Sequence, residues 1–243
     1  MIREPFLSVV IPAYNEAERI PLTLLDIDKK LSTVSFPYEI IVVNDGSTDK
    51  TAEVVEKMAK TIPHLTLVDN AKNQGKGGVV RDGMRAAKGK YRIFTDADNS
   101  TSIDQFEPML PFFKDGYDVV IGSRAVKGAH LEPPQPFYRR LLGRMSNLVI
   151  QLVNVPGIWD TQCGFKAFTA EAADAIFAKT RVNGWGFDIE VLALARSLGY
   201  RIKEMPVRWV NDAASHVKMS AYLKVFVENV RIRWWLITGV YGR

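Results

Sequence analysis

Short apolar segments alternate with amphipathic segments along the first half of the chain. Runs of apolar and β-branched residues between turn residues predict strands, and apolar residues that recur every three or four positions predict helices. The predicted strands are Phe6 to Ile11, Tyr38 to Val43, Leu65 to Val68, Tyr91 to Thr95 and Asp118 to Gly122. Four helices are predicted between these strands. The first starts near Pro21, the second ends near Lys60, the third runs from Gly75 to Ala87 and the fourth runs from Ser102 to Phe113. This order indicates βαβ units and predicts an α/β fold with a mostly parallel sheet flanked by helices.

The regular alternation ends after Gly122. The segment Lys127 to Pro136 holds three prolines and a glycine, and we expect it to be a loop. Beyond it, helical spacing covers Phe137 to Val153, Glu171 to Ala178, Phe187 to Leu198 and Ser220 to Thr238, with strands predicted at Phe165 to Thr169 and Arg201 to Val210. No linker separates two domains, so residues 1–243 are predicted to form one domain with amphipathic helices in its last third.

Composition narrows the class of protein. The 243 residues are 47% hydrophobic and 24% charged, which is ordinary for a globular chain, and the formal net charge is +5. A positive excess suits a phosphate-rich partner such as a nucleotide, a nucleic acid or an anionic membrane surface. Cys163 is the only cysteine, which favours a reducing compartment. We see no secretory signal and no apolar run near the roughly 18 residues of a membrane span, so a cytoplasmic location is expected.

Two carboxylates follow the fourth predicted strand. Asp96 and Asp98 are two residues apart, so on an extended chain their side chains point to the same side. Ligands of open α/β sheets bind at the carboxyl ends of strands, and carboxylates there suit Mg²⁺ or Mn²⁺ together with substrate phosphates. An ordinary polar turn is the alternative.

Two other polar clusters also follow predicted strands. Asp45, after the second strand, can accept hydrogen bonds from a base or ribose, or can serve an Asp-Gly turn. The cluster Gly75-Lys76-Gly77-Gly78 matches neither a P-loop nor a dinucleotide fingerprint. Its glycines either permit close packing or open a helix whose amides, with Lys76, meet an anion.

The chain resembles a known family. The segments Val10-Ile-Pro-Ala-Tyr-Asn-Glu16, Val42-Val-Asn-Asp-Gly-Ser-Thr-Asp49 and Asp96-Ala-Asp98 resemble the signature of family 2 glycosyltransferases, which have the Rossmann-like GT-A fold. Three later segments are similar to those of dolichyl-phosphate glucose and mannose synthases: Gly122-Ser-Arg124, Asp160-Thr-Gln-Cys-Gly-Phe-Lys166 and Gly184-Trp-Gly-Phe-Asp-Ile-Glu190.

The resemblance implies an inverting transfer of a hexose, preferably glucose, from UDP-glucose or GDP-mannose to a polyprenyl phosphate, with Mg²⁺ or Mn²⁺. Residues of about 1–123 would bind the donor and residues of about 124–243 the acceptor. The implied nucleotide-sugar residues are Pro12, Ala13, Tyr14, Glu16, Asp45, Lys76, Asp96, Ala97 and Trp185. The implied metal ligands are Asp96, Asp98 and Ser100, where mannose-synthase relatives often carry Gln in place of Ser100. Arg124, Arg139 and Lys218 would meet the acceptor phosphate, with Arg124 nearest the chemistry.

The acceptor decides whether the reaction needs a base. A phosphate monoester has a second pKa near ~6 and is already anionic at neutral pH, so cations that position it matter more than a base. A hydroxyl acceptor would need one, and Asp188 or Glu190 are candidates unless they form a solvated first helical turn.

Aromatic residues add two expectations. Trp185, between two glycines, either stacks on a hexose or is a core aromatic. The last helix carries Arg231, Arg233, Trp234 and Trp235, which predicts peripheral contact with the cytoplasmic face of a membrane unless the helix packs on its own domain.

Other functions stay open at the level of sequence. These are hexose transfer to a sugar or protein hydroxyl, a nucleotide-binding regulatory domain and an RNA-binding protein. The chain lacks the aromatic-rich motifs of RNA-binding proteins, and its basic residues are dispersed along the sequence, so no nucleic acid partner is expected.

Overall fold

The structure, a computed structural model, describes residues 4–133, 137–210 and 219–242; the side chains of residues 137–142, 144 and 219–222 are outside this description. The strands are β1 Leu7–Ala13, β2 Tyr38–Asn44, β3 Leu65–Asp69, β4 Tyr91–Thr95, β5 Val119–Ser123, β6 His130–Glu132, β7 Phe165–Thr169, β8 Ile202–Pro206 and β9 Arg208–Val210. The α-helices are α1 Ile20–Leu31, α2 Thr51–Ala59, α3 Lys76–Ala86, α4 Leu110–Lys114, α5 Phe137–Val153, α6 Ala170–Phe177, α7 Phe187–Ser197 and α8 Met219–Thr238.

Seven of the described strands form one sheet in the order β3-β2-β1-β4-β7-β5-β8. Strand β7 runs antiparallel to both of its neighbours, and the other pairs in this sheet are parallel. The prediction of a mostly parallel sheet is therefore confirmed. Because β1 lies between β2 and β4, the carboxyl ends of these three strands meet at one edge, and so do the loops that follow them.

Helices cover both faces of the sheet, because successive side chains of a strand point to opposite sides. Val9 and Ile11 of β1 pack in the core beneath α1, whereas Val10 packs in the core beneath α3. Both cores consist of fully buried apolar side chains, for example Leu24 of α1 and Met84 of α3. The continuous apolar runs seen in the sequence follow from this burial on both faces.

Proline changes two of the predicted elements. The helix predicted from Ser102 to Phe113 is a 3₁₀ helix, Ile103–Met109, followed by α4. Pro108 lies inside the 3₁₀ helix and cannot donate the hydrogen bond that an α-helix needs, whereas Pro111 is tolerated in the first turn of α4. The first strand extends through Pro12, and pairing with β4 stops at Val10, so the missing amide interrupts no pairing on that side.

The late strand and the proline-rich segment also differ from expectation. The predicted strand Arg201 to Val210 is divided into β8, which pairs with β5, and β9. Strand β9 pairs with β6, which lies in the segment expected to be a loop. The hydrophobic pattern does not predict that β9 pairs with β6, because the two strands lie far apart in the chain. Among the described helices, none is both long enough and apolar enough to cross a membrane.

Candidate functional site

The loops after β1 and β2 are joined by hydrogen bonds. The Asn15 amide donates to Ser47 Oγ at 2.9 Å, and the Glu16 amide donates to Thr51 Oγ1 at 2.8 Å. Asn15 has a φ of 55°, a left-handed conformation that Asn adopts more readily than most residues. These bonds hold the loop that carries Tyr14, whose side chain is exposed at the sheet edge.

Three of the residues predicted to bind the nucleoside meet where β1 and β2 end. Pro12 and Ala13 are buried in the last two positions of β1. The Asp45 amide, directly after β2, donates to the Ala13 carbonyl at 2.8 Å. The structure therefore brings Pro12, Ala13 and Asp45 together beside the Tyr14 loop.

The Asp45 carboxylate holds the chain at the start of α3. Its Oδ1 accepts the Gln74 amide at 2.6 Å and its Oδ2 accepts the Gly75 amide at 3.0 Å. The residue is 3% exposed. The sequence showed no sign of this contact, because the two amides lie after β3. Asp45 thus determines where Lys76, the first residue of α3, is placed.

Close packing explains the glycine cluster. A Cβ atom on Gly77 would lie 2.3 Å from the Val182 carbonyl oxygen, and one on Gly75 would lie 2.5 Å from that of Asn183. Gly75 also has a φ of 92°, which favours glycine. The Gly77 amide donates to the Asn183 carbonyl at 2.9 Å, so this amide is not open to an anion. The close-packing interpretation is confirmed, and Lys76 is left as the anion-binding candidate of the cluster.

Asp96 and Asp98 lie at the carboxyl end of β4 and are partly exposed. Lys76 Nζ is 2.6 Å from Asp96 Oδ1, and Asp98 Oδ1 accepts the amide of the buried Ser100 at 2.9 Å. Burial lowers the pKa of Lys76, but the charges of Asp96 and Asp188 outweigh this effect, so the pKa is raised and the ammonium stays protonated. Asp96, a predicted metal ligand, is thus already paired with the ammonium of Lys76 in the same chain.

Gly164 packs against the other oxygen of Asp96. A Cβ atom on Gly164 would lie 2.0 Å from Asp96 Oδ2. Next to it, the fully buried Lys166 donates to the Cys163 carbonyl at 2.6 Å and forms an ion pair with Asp188. Lys166 therefore fixes the segment that includes Gly164, and with it the space left for the Asp96 carboxylate.

Asp188 and Glu190 are buried, so the expectation of a solvated helix start is wrong. Burial raises the pKa of both carboxyls; at Asp188 the nearby Lys166 only partly offsets this effect. Glu190 accepts the Val182 amide at 2.9 Å and the Tyr241 hydroxyl at 2.7 Å. These bonds give Glu190 a structural role and argue against it as a general base.

Arg124 follows β5 and binds Asp160 in bidentate fashion. Its Nε is 2.7 Å from Oδ2 and its Nη2 is 2.9 Å from Oδ1. Burial lowers the pKa of Arg124, but the charge of Asp160, and less strongly that of Asp96, outweighs this effect, so the pKa is raised. Burial raises the pKa of Asp160, but the charge of Arg124 outweighs this effect, so the pKa is lowered. Sequence reasoning missed Asp160, although it opens one of the segments that carry the resemblance. One edge of the guanidinium is occupied, and Nη1 has no hydrogen bond to the described residues.

Trp185 is 51% exposed, so the alternative of a core aromatic is wrong. Lys76 Nζ lies 5.3 Å from the centre of its ring, which places the indole beside Asp96. The Gly186 amide donates to Glu228 Oε2 of α8 at 2.7 Å. Glu228 thus holds the loop that carries Trp185, a role that sequence reasoning also missed.

The carboxylates after β4 fit a divalent cation. Asp96 and Asp98 offer hard oxygen ligands, and the first already binds a positive charge. Within the part of the chain that the structure describes, no group of three His, Cys, Asp or Glu side chains could hold a metal by itself. A cation there would take further ligands from a substrate diphosphate, as Mg²⁺ commonly does. The Arg139 side chain and Lys218 lie outside the described residues.

Comparison with solved structures shows that the chain has the GT-A fold. Mannosyltransferase PcManGT from Pyrobaculum calidifontis, in complex with GDP-Man and Mn²⁺, superposes with a TM-score of 0.62 at 22% identity, covering 96% of this chain and 64% of that chain. Glucosyl-3-phosphoglycerate synthase from Mycobacterium tuberculosis, in complex with Mn²⁺, UDP and phosphoglyceric acid, gives 0.68 at 18% identity, covering 94% and 78%.

The chain belongs to glycosyl transferase family 2, whose sequence profile matches residues 8–177. A dolichyl-phosphate beta-glucosyltransferase of Trichomonas vaginalis is 38% identical to it, over 98% of this chain and 74% of the relative. The corresponding protein of Dictyostelium discoideum is 36% identical over 97% and 76%, and that of Homo sapiens is 33% identical over 97% and 77%. The predicted family and fold are confirmed.

Proposed function

We infer that this chain is an enzyme that transfers glucose from a nucleotide sugar to a dolichyl-type phosphate, with inversion at the anomeric carbon. The observation that carries this inference is identity of 33–38% to dolichyl-phosphate beta-glucosyltransferases across nearly the whole chain. We propose UDP-glucose as the donor. Mannosyl transfer from GDP-mannose to the same class of acceptor is the alternative, since a structural neighbour holds GDP-Man.

Donor binding is proposed for residues at the carboxyl edge of β1, β2 and β4. The nucleoside would lie against Pro12, Ala13, Tyr14, Glu16, Asp45 and Ala97. The exposed indole of Trp185 would cover the sugar, and Lys76 beside it would meet the diphosphate. The edge position of these residues and their mutual hydrogen bonds support this assignment.

Asp96 and Asp98, with Ser100, would hold Mg²⁺ or Mn²⁺ bound to the donor diphosphate. The cation supplies neutralisation of the negative charge that develops on the leaving diphosphate. Mn²⁺ in two structural neighbours supports this proposal. Calorimetry should show that UDP binds the parent protein more tightly with metal than without, and that Asp98→Asn removes the difference; equal affinity with and without metal in the parent would contradict the proposal.

The acceptor phosphate is proposed to bind Arg124, Arg139 and Lys218. Arg124 lies close enough to Asp96 for the two charges to interact, and Asp160 fixes the direction of its guanidinium. The phosphate monoester is already an anion, so these cations would position it for attack, and no base is required. Residues of about 1–123 would thus serve the donor and residues of about 124–243 the acceptor, with Trp185 as an exception.

A comparison of donors and acceptors tests the proposed reaction. Labelled UDP-glucose or GDP-mannose is supplied with dolichyl phosphate or with dolichol, the same lipid without the phosphate. We expect product from UDP-glucose and dolichyl phosphate alone. More product from GDP-mannose would overturn the sugar assignment, product with dolichol would favour a hydroxyl acceptor, and no product at all would favour a nucleotide-binding regulatory domain.

Substitution of Arg124 tests the acceptor site. Arg124→Lys keeps a charge opposite Asp160 but loses the bidentate geometry. We expect kcat/KM for dolichyl phosphate to fall about tenfold to a hundredfold while the UDP-glucose KM changes little. A cooperative thermal unfolding transition confirms that the variant is folded. Full acceptor turnover by this variant would place the phosphate elsewhere.

We propose that α5 and α8 form the surface that meets the membrane at its cytoplasmic side. Both helices bury polar side chains and expose apolar ones, since Gln151 of α5 and Asn229 of α8 are buried. Asn154, the residue directly after α5, is also buried, and its Nδ2 donates to Asn229 Oδ1 at 2.7 Å. The exposed apolar side chains are Met145, Leu148, Val149 and Leu152 of α5 and Leu223, Phe226, Val227, Val230, Trp234 and Ile237 of α8. Exposed cations, Lys224, Arg231 and Arg233, accompany them on α8, as expected for contact with anionic headgroups.

Liposome flotation tests this surface. We expect the protein to float with vesicles that contain anionic lipid, and Phe226→Ser combined with Trp234→Ser to weaken flotation. Leu22→Ser is the matched control, because Leu22 is 72% exposed on α1, which packs on the other face of the sheet. No association with anionic vesicles at low salt would contradict the proposal, and so would equal losses in both variants.

A further inference from the structure

Lys76 occupies one oxygen of the carboxylate to which we assign the metal. Its Nζ is 2.6 Å from Asp96 Oδ1, and its pairing is the only ion pair that the described residues give to Asp96. The side chains of Lys76 and Asp96 are 21% and 32% exposed, so solvent screens the pair only in part. A metal cation that bound Asp96 would therefore compete with the Lys76 ammonium for the same carboxylate.

The position of Lys76 is built into the fold. The Asp45 carboxylate binds the two amides that precede it, and the Gly77 amide after it donates to the Asn183 carbonyl at 2.9 Å. Its Nζ also lies over the Trp185 ring at 5.3 Å and the Phe187 ring at 5.9 Å. Backbone and ring contacts together keep this ammonium at the site, unlike that of a surface lysine.

Asp96 has little room to hold both cations unaided. Gly164 packs against Oδ2 so closely that a Cβ atom there would lie 2.0 Å from that oxygen. A divalent cation bound to Asp96 would therefore lie close to the Lys76 ammonium, and like charges at such separation repel strongly where water is partly excluded. A diphosphate removes this conflict, because its several negative charges can receive the cation and the ammonium together.

We propose that Lys76 is a resident counter-ion of Asp96, which keeps free divalent metal off the site and yields the carboxylate when the donor diphosphate arrives. Binding of metal and binding of nucleotide then strengthen one another, as any two linked equilibria must do by the same factor. The metal therefore binds together with the nucleotide-sugar donor and not before the donor. The inference rests on the metal site of the proposed function and assigns to Lys76 a positioning role in addition to contact with the diphosphate.

Binding of Mn²⁺ to the full chain, measured by electron paramagnetic resonance with and without UDP, tests the proposal without turnover. The parent should bind free Mn²⁺ weakly and bind it about 5- to 150-fold more tightly with UDP, the usual range of coupling between sites. Lys76→Met keeps an unbranched apolar side chain one atom shorter than that of lysine and removes the charge. This variant should bind free Mn²⁺ about tenfold or more tightly than the parent, and UDP should strengthen its Mn²⁺ binding by a smaller factor than in the parent.

Two further variants make the result specific. Lys76→Arg keeps the charge and should keep weak binding of free Mn²⁺. Lys90→Met is the matched control, because Lys90 also lies over aromatic rings, those of Phe6 and Tyr91, and has no ion pair among the described residues; it should bind Mn²⁺ as the parent does. Thermal midpoints near that of the parent show that each variant is folded.

The outcomes separate this inference from the proposed function. If the parent binds Mn²⁺ with UDP but Lys76→Met binds free Mn²⁺ no more tightly than the parent does, the role of Lys76 is refuted and the metal site stands. If the parent binds no Mn²⁺ even with UDP, the metal site is refuted, and the inference with it. Tight binding of free Mn²⁺ by the parent also refutes the inference.

Discussion

At the scale of single residues, Gly164 limits the space around a predicted metal ligand. The φ of Gly164 is not in the left-handed region. Alanine is therefore excluded by its Cβ atom, which would lie 2.0 Å from Asp96 Oδ2, and not by the backbone conformation. We expect Gly164→Ala to displace the carboxylate and to lower kcat about a hundredfold, the loss that a misplacement of about 1 Å can cause. Steady-state kinetics with UDP-glucose and dolichyl phosphate measure this loss.

Gly143→Ala is the control for that substitution. Gly143 lies in α5, and nothing is within 4 Å of a Cβ atom built there. The same chemical change should leave kcat unaltered and stabilise the helix by about 0.5–1 kcal/mol. A Gly164→Ala enzyme with parental kcat would show that the Asp96 carboxylate does not need its present position.

Asp160 gives a prediction about acid stability. Arg124 holds the pKa of Asp160 below its usual 3.8, although burial opposes this. As pH falls, the unfolded chain therefore takes up the proton first, so the pair stabilises the fold fully above about pH 4 and progressively less below it. We expect Asp160→Asn to lower the free energy of unfolding at pH 7 by about 1–3 kcal/mol.

Urea unfolding at pH 7, 4 and 3 measures this effect. The difference between Asp160→Asn and the parent should shrink from pH 4 to pH 3, because in this range the unfolded parent chain takes up a proton at Asp160 that the folded chain resists. A difference that stays constant with pH would mean that the variant acts through packing and not through the charge of Asp160.

At the scale of elements, α8 joins the proposed membrane surface to the proposed sugar site. Glu228 Oε2 accepts the Gly186 amide at 2.7 Å, and a Cβ atom on Gly184 would lie 2.3 Å from Glu228 Oε1. Glu228→Ala leaves that amide without its acceptor and the Trp185 loop without its support. We expect amide exchange across residues 184–187 to accelerate about tenfold or more.

Hydrogen exchange followed by mass spectrometry measures this change. Lys224→Ala, at an exposed position of the same helix, should leave the exchange of residues 184–187 unaltered. Equal exchange in Glu228→Ala and the parent would show that the glycines and their other neighbours hold the loop without α8.

At the scale of the whole molecule, the residues after α8 return to the core. The Tyr241 hydroxyl donates to Glu190 Oε1 at 2.7 Å, and Glu190 also binds the amides before α7. Tyr241→Phe removes one donor from a fully buried carboxylate. We expect the free energy of unfolding to fall by about 1–2 kcal/mol in urea denaturation.

Tyr200→Phe is the control, because the Tyr200 hydroxyl makes no hydrogen bond to the described residues. Its removal should change the free energy of unfolding by less than about 0.5 kcal/mol. If the two variants lose the same amount, the hydroxyl of Tyr241 is not the source of the stabilisation.

The sequence by itself determined the elements and the chemistry at their ends. The pattern of apolar segments located β1 to β5 to within one or two residues, because the central strands of the sheet are buried on both faces and are therefore mainly apolar. The position of Asp96 and Asp98 after such a strand indicated a cation site, and the segments around Tyr14, Asp45 and Asp96 indicated the family. These are local properties, which neighbouring residues specify.

Tertiary structure alone decided which side chains meet. The bonds from Asp45 to Gly75, from Lys76 to Asp96, from Arg124 to Asp160 and from Glu228 to Gly186 join residues on different elements. The insertion of β7 between β4 and β5, antiparallel to both, brings Gly164 against Asp96. The hydrophobic pattern does not specify the order of strands in the sheet, because the apolar residues of a strand are the same whichever strand pairs with it. Tertiary structure also decided the environment of Asp188 and Glu190, which the sequence left as candidate bases or as a solvated first helical turn and which are buried in the fold.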